Sequence, residues 1–354
     1  MFSGTYAGRR VLVTGHTGFK GSWLCLWLTL LGAEVRGFAL APDTEPSHWD
    51  LLRLTEVDDV RGDIRDARAI GVAISEWKPE IVFHLAAQPL VRRSYREPVA
   101  TFDTNVMGLV HVLEALRETS SVRAFVNATT DKVYADAQRA RGYVETDPLG
   151  GHDPYSASKA CAELVTESYR KSYLGPGVQM ATARAGNVIG GGDWAEDRLV
   201  PDIVRAIVTK QRLDVRNPTA VRPWQHVLEP LSGYLRLGQT LLEGEATSHA
   251  WNFGPSADAN LPVRGLIEGI SRHWPDLEVG LSPGPHPHEA VTLRLDCRHA
   301  AEHLDWMPVW DAAETIRRTI DWYRAFLATG TVVSADDLCA YAQAAKSRGL
   351  TWAA

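Results

Sequence analysis

The 354-residue sequence predicts an α/β fold, a doubly wound parallel sheet carrying a second, smaller mixed α/β lobe. Three observations point there. From Arg9 to about Thr130, short β-branched runs alternate with longer helical patterns, as parallel strands joined by crossover helices require. Runs such as Ile81-Val82-Phe83-His84-Leu85 are almost continuously apolar, which suits strands covered on both faces. After about residue 180 the alternation gives way to Gly- and Pro-rich turns between shorter elements. Residues 1–180 are therefore assigned to the sheet domain and residues 181–354 mainly to the second lobe, partly interleaved with the first.

The first strand reads as Val11-Leu12-Val13-Thr14. Behind it, the apolar stretch Trp23 to Leu31 is too short to cross a bilayer and is closed by Gly32, a common residue just past a helix end. It predicts a buried helix beginning near Ser22. Further strands fall at Glu34 to Leu40, just before Gly62-Asp63, at Ile81 to Ala86 and at Ala124 to Thr129. Asp153 as cap and Pro154 at the first helical position open a helix that runs toward Tyr173. A strand at Met180 to Arg184 leads to Gly186 and the cluster Gly190-Gly191-Gly192, where regular structure must yield to a loop. Helical patterns follow near Pro201 to Lys210, Pro230 to Leu242, Val263 to His273 and Ala312 to Leu327, and a loosely attached helix is expected from Thr331 onward.

Composition narrows the function. A formal net charge of −6 argues against a nucleic-acid partner, which would need a concentrated surplus of Lys and Arg. The cysteines Cys25, Cys161, Cys297 and Cys339 lie far apart with no C-x-x-C pair, so neither a zinc site nor a disulfide scaffold is indicated, and no metal is expected. The N-terminus lacks a secretory pattern, which leaves the cytoplasm as the expected compartment, with no membrane partner.

Directly after the first strand comes Gly15-His16-Thr17-Gly18-Phe19-Lys20-Gly21, with glycines at G-x-x-G-x-x-G spacing before a helix. Glycines let the backbone turn sharply and approach a pyrophosphate, which then faces the free amides and positive end of that helix. The context makes the sheet Rossmann-like and marks Gly15, Thr17, Gly18, Phe19, Lys20 and Gly21 as cofactor-binding candidates. An acid roughly 20 positions on would bind the adenosine ribose. The second strand ends without one; Asp43 is either a substitute or a solvated turn residue.

Tyr155 and Lys159 stand at i, i+4, which puts both on one face of the helix opened by Asp153. A phenol with an ordinary pKa near 10 is a poor base at neutral pH unless a cation favours its phenolate, and Lys159 supplies one. At the end of the fifth strand lies Thr129-Thr130-Asp131-Lys132, on the sheet edge where open α/β folds bind ligands. Asp131 and Lys132 are either an acid–base pair or a surface ion pair.

The loop, the strand order and the Tyr155–Lys159 pair together resemble the extended short-chain dehydrogenases/reductases that modify nucleotide sugars. Thr130-Asp131-Lys132 resembles the CDP-glucose 4,6-dehydratases within them, as do the stretches Arg184 to Trp194, Asp197 to Asp202, Arg222 to Val227, Trp251 to Pro255 and Pro287 to Ala290. The resemblance implies NAD as cofactor, with Asp63 and its neighbour Ile64 at the adenine, Leu85-Ala86-Ala87-Gln88 along the dinucleotide and Asn105 supporting the active site. It implies that Thr130 and Tyr155 engage the sugar's 4-oxygen during oxidation, that Asp131 is the acid and Lys132 the base of water elimination, and that Lys159 assists Tyr155. It implies a nucleotide-sugar substrate held by Gln88, Asn187, Asp193, Trp194, Arg198, Leu199, Arg222, His226, Asn252 and His288. Trp224 and Trp251 read as packing residues, and His286 and His288 stand where relatives place an arginine. A homodimer or higher homo-oligomer is implied through the helix near Val99 to Leu116 and the Tyr155 helix. Nothing in the sequence reads cytosine, so another nucleotide-sugar 4,6-dehydratase, a 4-epimerase or an inactive dinucleotide-binding regulator stays open. Adjacent residues on a strand point to opposite faces, so Asp131 and Lys132 reach one sugar only if the chain bends there.

Overall fold

The computed structural model describes residues 1–135, 141–174, 177–275, 277–282, 284 and 293–354. Its centre is a seven-stranded sheet: β1 (Arg10–Thr14), β2 (Glu34–Ala39), β3 (Asp58–Arg61), β4 (Ile81–His84), β5 (Ala124–Ala128), β6 (Gln179–Ala185) and β7 (Ala250–Phe253). They lie in the order β7-β6-β5-β4-β1-β2-β3 and pair in parallel throughout. The order reverses between β1 and β4, the switch point at which ligands enter open α/β sheets. In register there, Thr14 lies opposite His84 and bonds to its Nδ1 at 2.8 Å.

Alternate residues of the central strands feed two cores. Val11, Val13, Ile81, Phe83, Ala124 and Val126 pack with α1 (Phe19–Leu30) on one face, whereas Leu12, Val82 and Phe125 pack with α2 (Ala67–Trp77) and α3 (Gly108–Arg117) on the other. Coverage fails at β3, a mostly exposed edge strand, so the expectation of burial on both faces holds for the central strands only. The helix α1 begins at Phe19, earlier than Ser22, because Gly18 already serves as its N-cap.

The helix α4 (Pro154–Tyr169) borders β5; α5 (Leu199–Thr209), α6 (Leu228–Glu243), α7 (Val263–Ser271), α8 (Ala312–Thr329) and α9 (Ser334–Ser347) follow. Among the described residues, three two-stranded ladders join the later segments: Val188–Ile189 with Gln225–His226, Val221–Pro223 with Asn260–Pro262, and Leu213–Val215 with Val279–Leu281. No helix among the described residues is long and apolar enough to cross a membrane.

The chain's last residues correct the expectation of a loosely attached helix. Leu338, Tyr341 and Trp352 are fully buried; Trp352 stacks on Phe2 at 5.2 Å, and Tyr341 meets Trp27 of α1 edge-on at 5.9 Å. The Tyr341 hydroxyl donates to the buried carboxyl of Glu229 at 2.6 Å. This cover explains why α1 is buried from Gly21 to Leu28 without an exposed stripe: it lies between the sheet and the C-terminal helix.

Candidate active site

The glycine loop forms a close-fitting cradle. Gly15 has φ of +75°, and a β-carbon on it would come within 2.7 Å of the Ala86 amide in the loop after β4. One on Gly21 would overlap the Gly15 carbonyl. Gly18 caps α1 without a side chain, which leaves the positive end of that helix open to the crevice. The cradle fits a dinucleotide's pyrophosphate, which needs close backbone approach and unblocked amides. Thr17 donates to the Leu40 carbonyl at 3.0 Å and fastens the loop to the end of β2. Leu85, Ala86 and Ala87 line the other side, half-buried, with the Leu85 and Ala86 amides both 3.2 Å from Thr14 Oγ1.

Other cofactor candidates are engaged elsewhere. The Asp63 carboxylate is paired with Arg65 at 2.6 Å, which holds it below the usual carboxylate range. The Ile64 side chain is buried in the core beside Gly108 and so presents no side chain to a ligand. Asp43 is exposed, and its charge acts on Arg198.

The helix α4, which carries Tyr155 and Lys159, is anchored at its start. Asp153 accepts from the Ser156 amide at 2.9 Å and hydroxyl at 2.6 Å, and the free amide of Tyr155 donates to buried Ser94 at 3.1 Å. Asn105 sits in a π-helical turn, Asp103–Met107, which rotates it toward the site. It accepts from the Gln88 amide at 2.8 Å and donates to the Gln88 carbonyl at 3.1 Å and to Ser158 at 2.9 Å, tying the loop after β4 to α4.

Tyr155 and Lys159 are both buried. Burial pushes the phenol up to about 12, against a hydrogen bond with Thr130 and the charge of Arg198. Burial lowers Lys159 to about 8, opposed by Glu163 one turn further on. The Lys159 ammonium donates to the Ala128 carbonyl at 2.9 Å. The cation that acts on the phenol is Arg198, itself paired with Asp193 at 2.9 Å, in place of the expected Lys159.

The bend at the strand end is present. Thr130, with φ −153° and ψ 158°, caps a short 3₁₀ turn, Asp131–Val133. Thr130 Oγ1 donates to Asp131 Oδ1 at 3.0 Å, while the buried Oδ2 has no hydrogen-bond partner among the described residues. Thr130, Asp131, Tyr155 and Lys159 thus converge, joined by Lys20, which burial and the charges of Arg198 and Lys159 lower to about 7. Lys132 lies half-buried on the same turn, its side chain without a hydrogen bond or ion pair among the described residues.

Behind this tip runs a buried network that the residue pattern did not single out. Glu163 accepts from Thr129 and Thr182 and pairs with Arg184 at 2.7 Å; Arg184 donates to the Tyr134 hydroxyl at 2.9 Å. The spacing of Glu163, i+4 from Lys159, was the available signal.

On the expected substrate side, Asn187 has a left-handed φ of 25° and a buried Oδ1 with no hydrogen-bond partner among the described residues. Arg222 is buried and donates to its neighbour's carbonyl at 3.0 Å. Leu199 begins α5 beside Arg198. Four expected contacts are used in packing instead. Trp194 lies edge-on to Tyr323 at 5.3 Å, within the α8 interface. His226 is enclosed by Trp23 and Trp310, which drives its pKa down to about 3 and keeps it neutral. Asn252 accepts from the Tyr134 hydroxyl at 2.6 Å and donates to the Tyr143 carbonyl at 2.8 Å. Gln88 donates to Thr101 at 2.9 Å and accepts from the Leu90 amide at 2.6 Å, so its side chain closes its own loop. His286 and His288 lie outside the described residues.

Known proteins share this architecture. A family profile described as GDP-mannose 4,6 dehydratase matches residues 12–319. A CDP-glucose 4,6-dehydratase of Salmonella typhimurium is 50% identical over 331 residues, covering 91% of this chain and 92% of that protein. A dTDP-glucose 4,6-dehydratase of Streptomyces antibioticus is 32% identical, covering 89% and 92%. Among solved structures, the UDP-glucose 4-epimerase of Thermus thermophilus in complex with NAD is 26% identical with a TM-score of 0.78, covering 89% of this chain and 99% of that one. With the cradle, the paired Tyr155 and Lys159 and the bent Thr-Asp-Lys tip, these likenesses show that the chain belongs to the GDP-mannose 4,6 dehydratase family, within the extended short-chain dehydrogenases/reductases.

Proposed function

We propose that this chain is a 4,6-dehydratase that converts CDP-D-glucose to CDP-4-keto-6-deoxy-D-glucose with NAD as resident cofactor. One observation carries the reading: a buried carboxyl, Asp131, is bent back beside the Tyr155 phenol with one oxygen left open. A 4-epimerase needs only the phenol; an acid in this place has work when a leaving group departs. The 50% identity to a CDP-glucose enzyme supports the nucleotide.

NAD, held by the Gly15–Gly21 cradle, supplies a reversible hydride acceptor. Tyr155 takes the proton of the 4-hydroxyl while Thr130 steadies that oxygen. The resulting 4-ketone acidifies the C5 hydrogen, which Lys132 removes; Asp131 protonates the 6-oxygen as it leaves as water. Asn187 contacts the diphosphate and Arg222 neutralises it, a task suited to a guanidinium group. The exposed apolar side chains Val99, Phe102, Met107 and Leu164 on neighbouring helices support a homodimer.

The test is mass analysis of purified protein incubated with CDP-, UDP-, dTDP- and GDP-glucose, with and without added NAD+. A CDP product lighter by one water is expected. Unchanged mass with altered sugar stereochemistry would make the chain an epimerase, and no turnover of any substrate would make it a binding protein.

A further inference from the structure

Aromatic rings account for the cluster Gly190-Gly191-Gly192. A β-carbon on Gly191 would fall 1.9 Å from Trp322 Cγ, one on Gly192 would meet His48 Cδ2 at 2.3 Å, and one on Gly190 would lie 3.3 Å from the Phe19 ring of the cofactor cradle. The loop thus rests with bare backbone on a floor of side chains. Trp23 of α1 extends that floor: it stacks on His48 at 4.9 Å and donates to the Gly191 carbonyl at 3.0 Å. Asp193, the next residue, accepts from the Tyr323 hydroxyl through its carbonyl at 2.5 Å and pairs through its carboxylate with Arg198 at 2.9 Å.

His48, the first residue of the short helix His48–Leu52, is buried in this floor and joined on two sides. Its Nδ1 lies 2.7 Å from Ser22 Oγ in the first turn of α1, and its Nε2 lies 2.8 Å from Ser334 Oγ at the start of α9. The two partners fix its tautomer. Ser22 gives its single hydrogen to the Phe19 carbonyl at 2.9 Å, so toward the imidazole it can only accept, and Nδ1 carries the proton. Ser334 accepts from Trp322 Nε1 at 2.8 Å and keeps its hydrogen for Nε2. Burial brings the imidazole down to about 3, so the ring stays neutral. One directed chain therefore runs from Trp322 of α8 through Ser334, His48 and Ser22 to Phe19 in the cradle.

We infer that His48 is a positioning residue for hydride transfer: through this chain it sets the gap between the cradle and the loop that leads to Asp193 and Arg198 on the sugar-nucleotide side. Cofactor and sugar are held by different elements, and hydride passes only when their reacting carbons meet in near-contact geometry. A small drift of one element against the other slows that step while each ligand still binds. Ser22 directly follows Gly21 of the cradle, and Gly192 directly precedes Asp193, so His48 touches both elements beside their working residues. Packing on Trp23 is non-directional, whereas two hydrogen bonds from opposite sides fix the rotation of the ring.

This inference rests on the dehydratase reading, and the experiment separates the two. The kcat per NAD-occupied site and the KM for CDP-glucose would be measured for the wild type, His48→Phe, Ser22→Ala, Ser334→Ala and the double serine variant, with hydrogen or deuterium at C4 of the sugar. His48→Phe keeps a ring against Trp23 and loses both hydrogen bonds. Its kcat is expected to fall about 10- to 100-fold, with KM within a few-fold of wild type and a deuterium isotope effect on the slowed turnover. Each serine variant cuts the chain at one end and should slow turnover in the same way, which keeps the test valid if His48→Phe does not fold. The double variant should be no slower than the slower single, because a chain cut once is already cut. A role in stability alone would lower the occupied fraction and leave kcat per occupied site at the wild-type value. That result, slowing without an isotope effect, or a double variant as slow as the product of its singles overturns the proposal. A wild type that makes no dehydrated product overturns the dehydratase reading instead.

Discussion

The open oxygen of Asp131 occupies the place where Gly186, were it alanine, would carry its β-carbon. A residue at the end of β6 thereby sets how far the acid on the β5 tip can reach. Gly186→Ala must push the carboxyl aside. Dehydration is expected to fall by about 100-fold or more, measured as release of the dehydrated product, with cooperative unfolding retained.

Against burial, the Thr130 hydroxyl and the charge of Arg198 favour the phenolate of Tyr155. Because burial holds Tyr155 up near 12, the phenolate is scarce at neutral pH and grows as pH rises. Removing a cation that favours the phenolate raises the pKa further, so the rising limb moves to higher pH. Arg198→Met should shift the pH profile of single-turnover oxidation alkaline by up to about one unit. An unmoved or acid-shifted profile would assign the charge at the phenol to another group.

The Glu163–Arg184 pair is almost wholly excluded from water, with both side chains 4% exposed. Glu163→Gln strands the guanidinium in the interior. Denaturant unfolding should show a loss of about 3–5 kcal/mol. Replacing both partners by apolar residues of similar volume should cost less, because no charge is then left unpaired.

Val99 is 82% exposed and Leu164 60% exposed, on helices that pack against one another. Glutamate at both positions would set like charges against each other in a self-complementary interface. Sedimentation is expected to show a dimer for the wild type and a monomer for Val99→Glu/Leu164→Glu, with the helical signal unchanged.

Legibility in the sequence followed the range of the interactions. The glycine loop, the Asp153-Pro154 helix start and the Tyr155–Lys159 face are local patterns, and the chain folds as they read. Resemblance named the residues that accompany such a site, but it carries no direction for a side chain. His226 and Trp194 are therefore expected to hold the substrate, although aromatic neighbours from distant segments enclose them. Asn252 and Gln88 have the chemistry to bind a sugar, yet their amides complete loops. The docking of Trp352 on Phe2 spans nearly the full chain, and no periodicity announces a contact of that length.

That last contact orders events on the ribosome. The apolar helix behind the glycine loop is synthesised well before the aromatic residues that shield its outer surface, so a nascent chain carries this sticky segment unprotected until they follow. Premature termination ahead of Tyr341 would thus yield a product prone to chaperone capture and aggregation, even though each group proposed for chemistry is already in place.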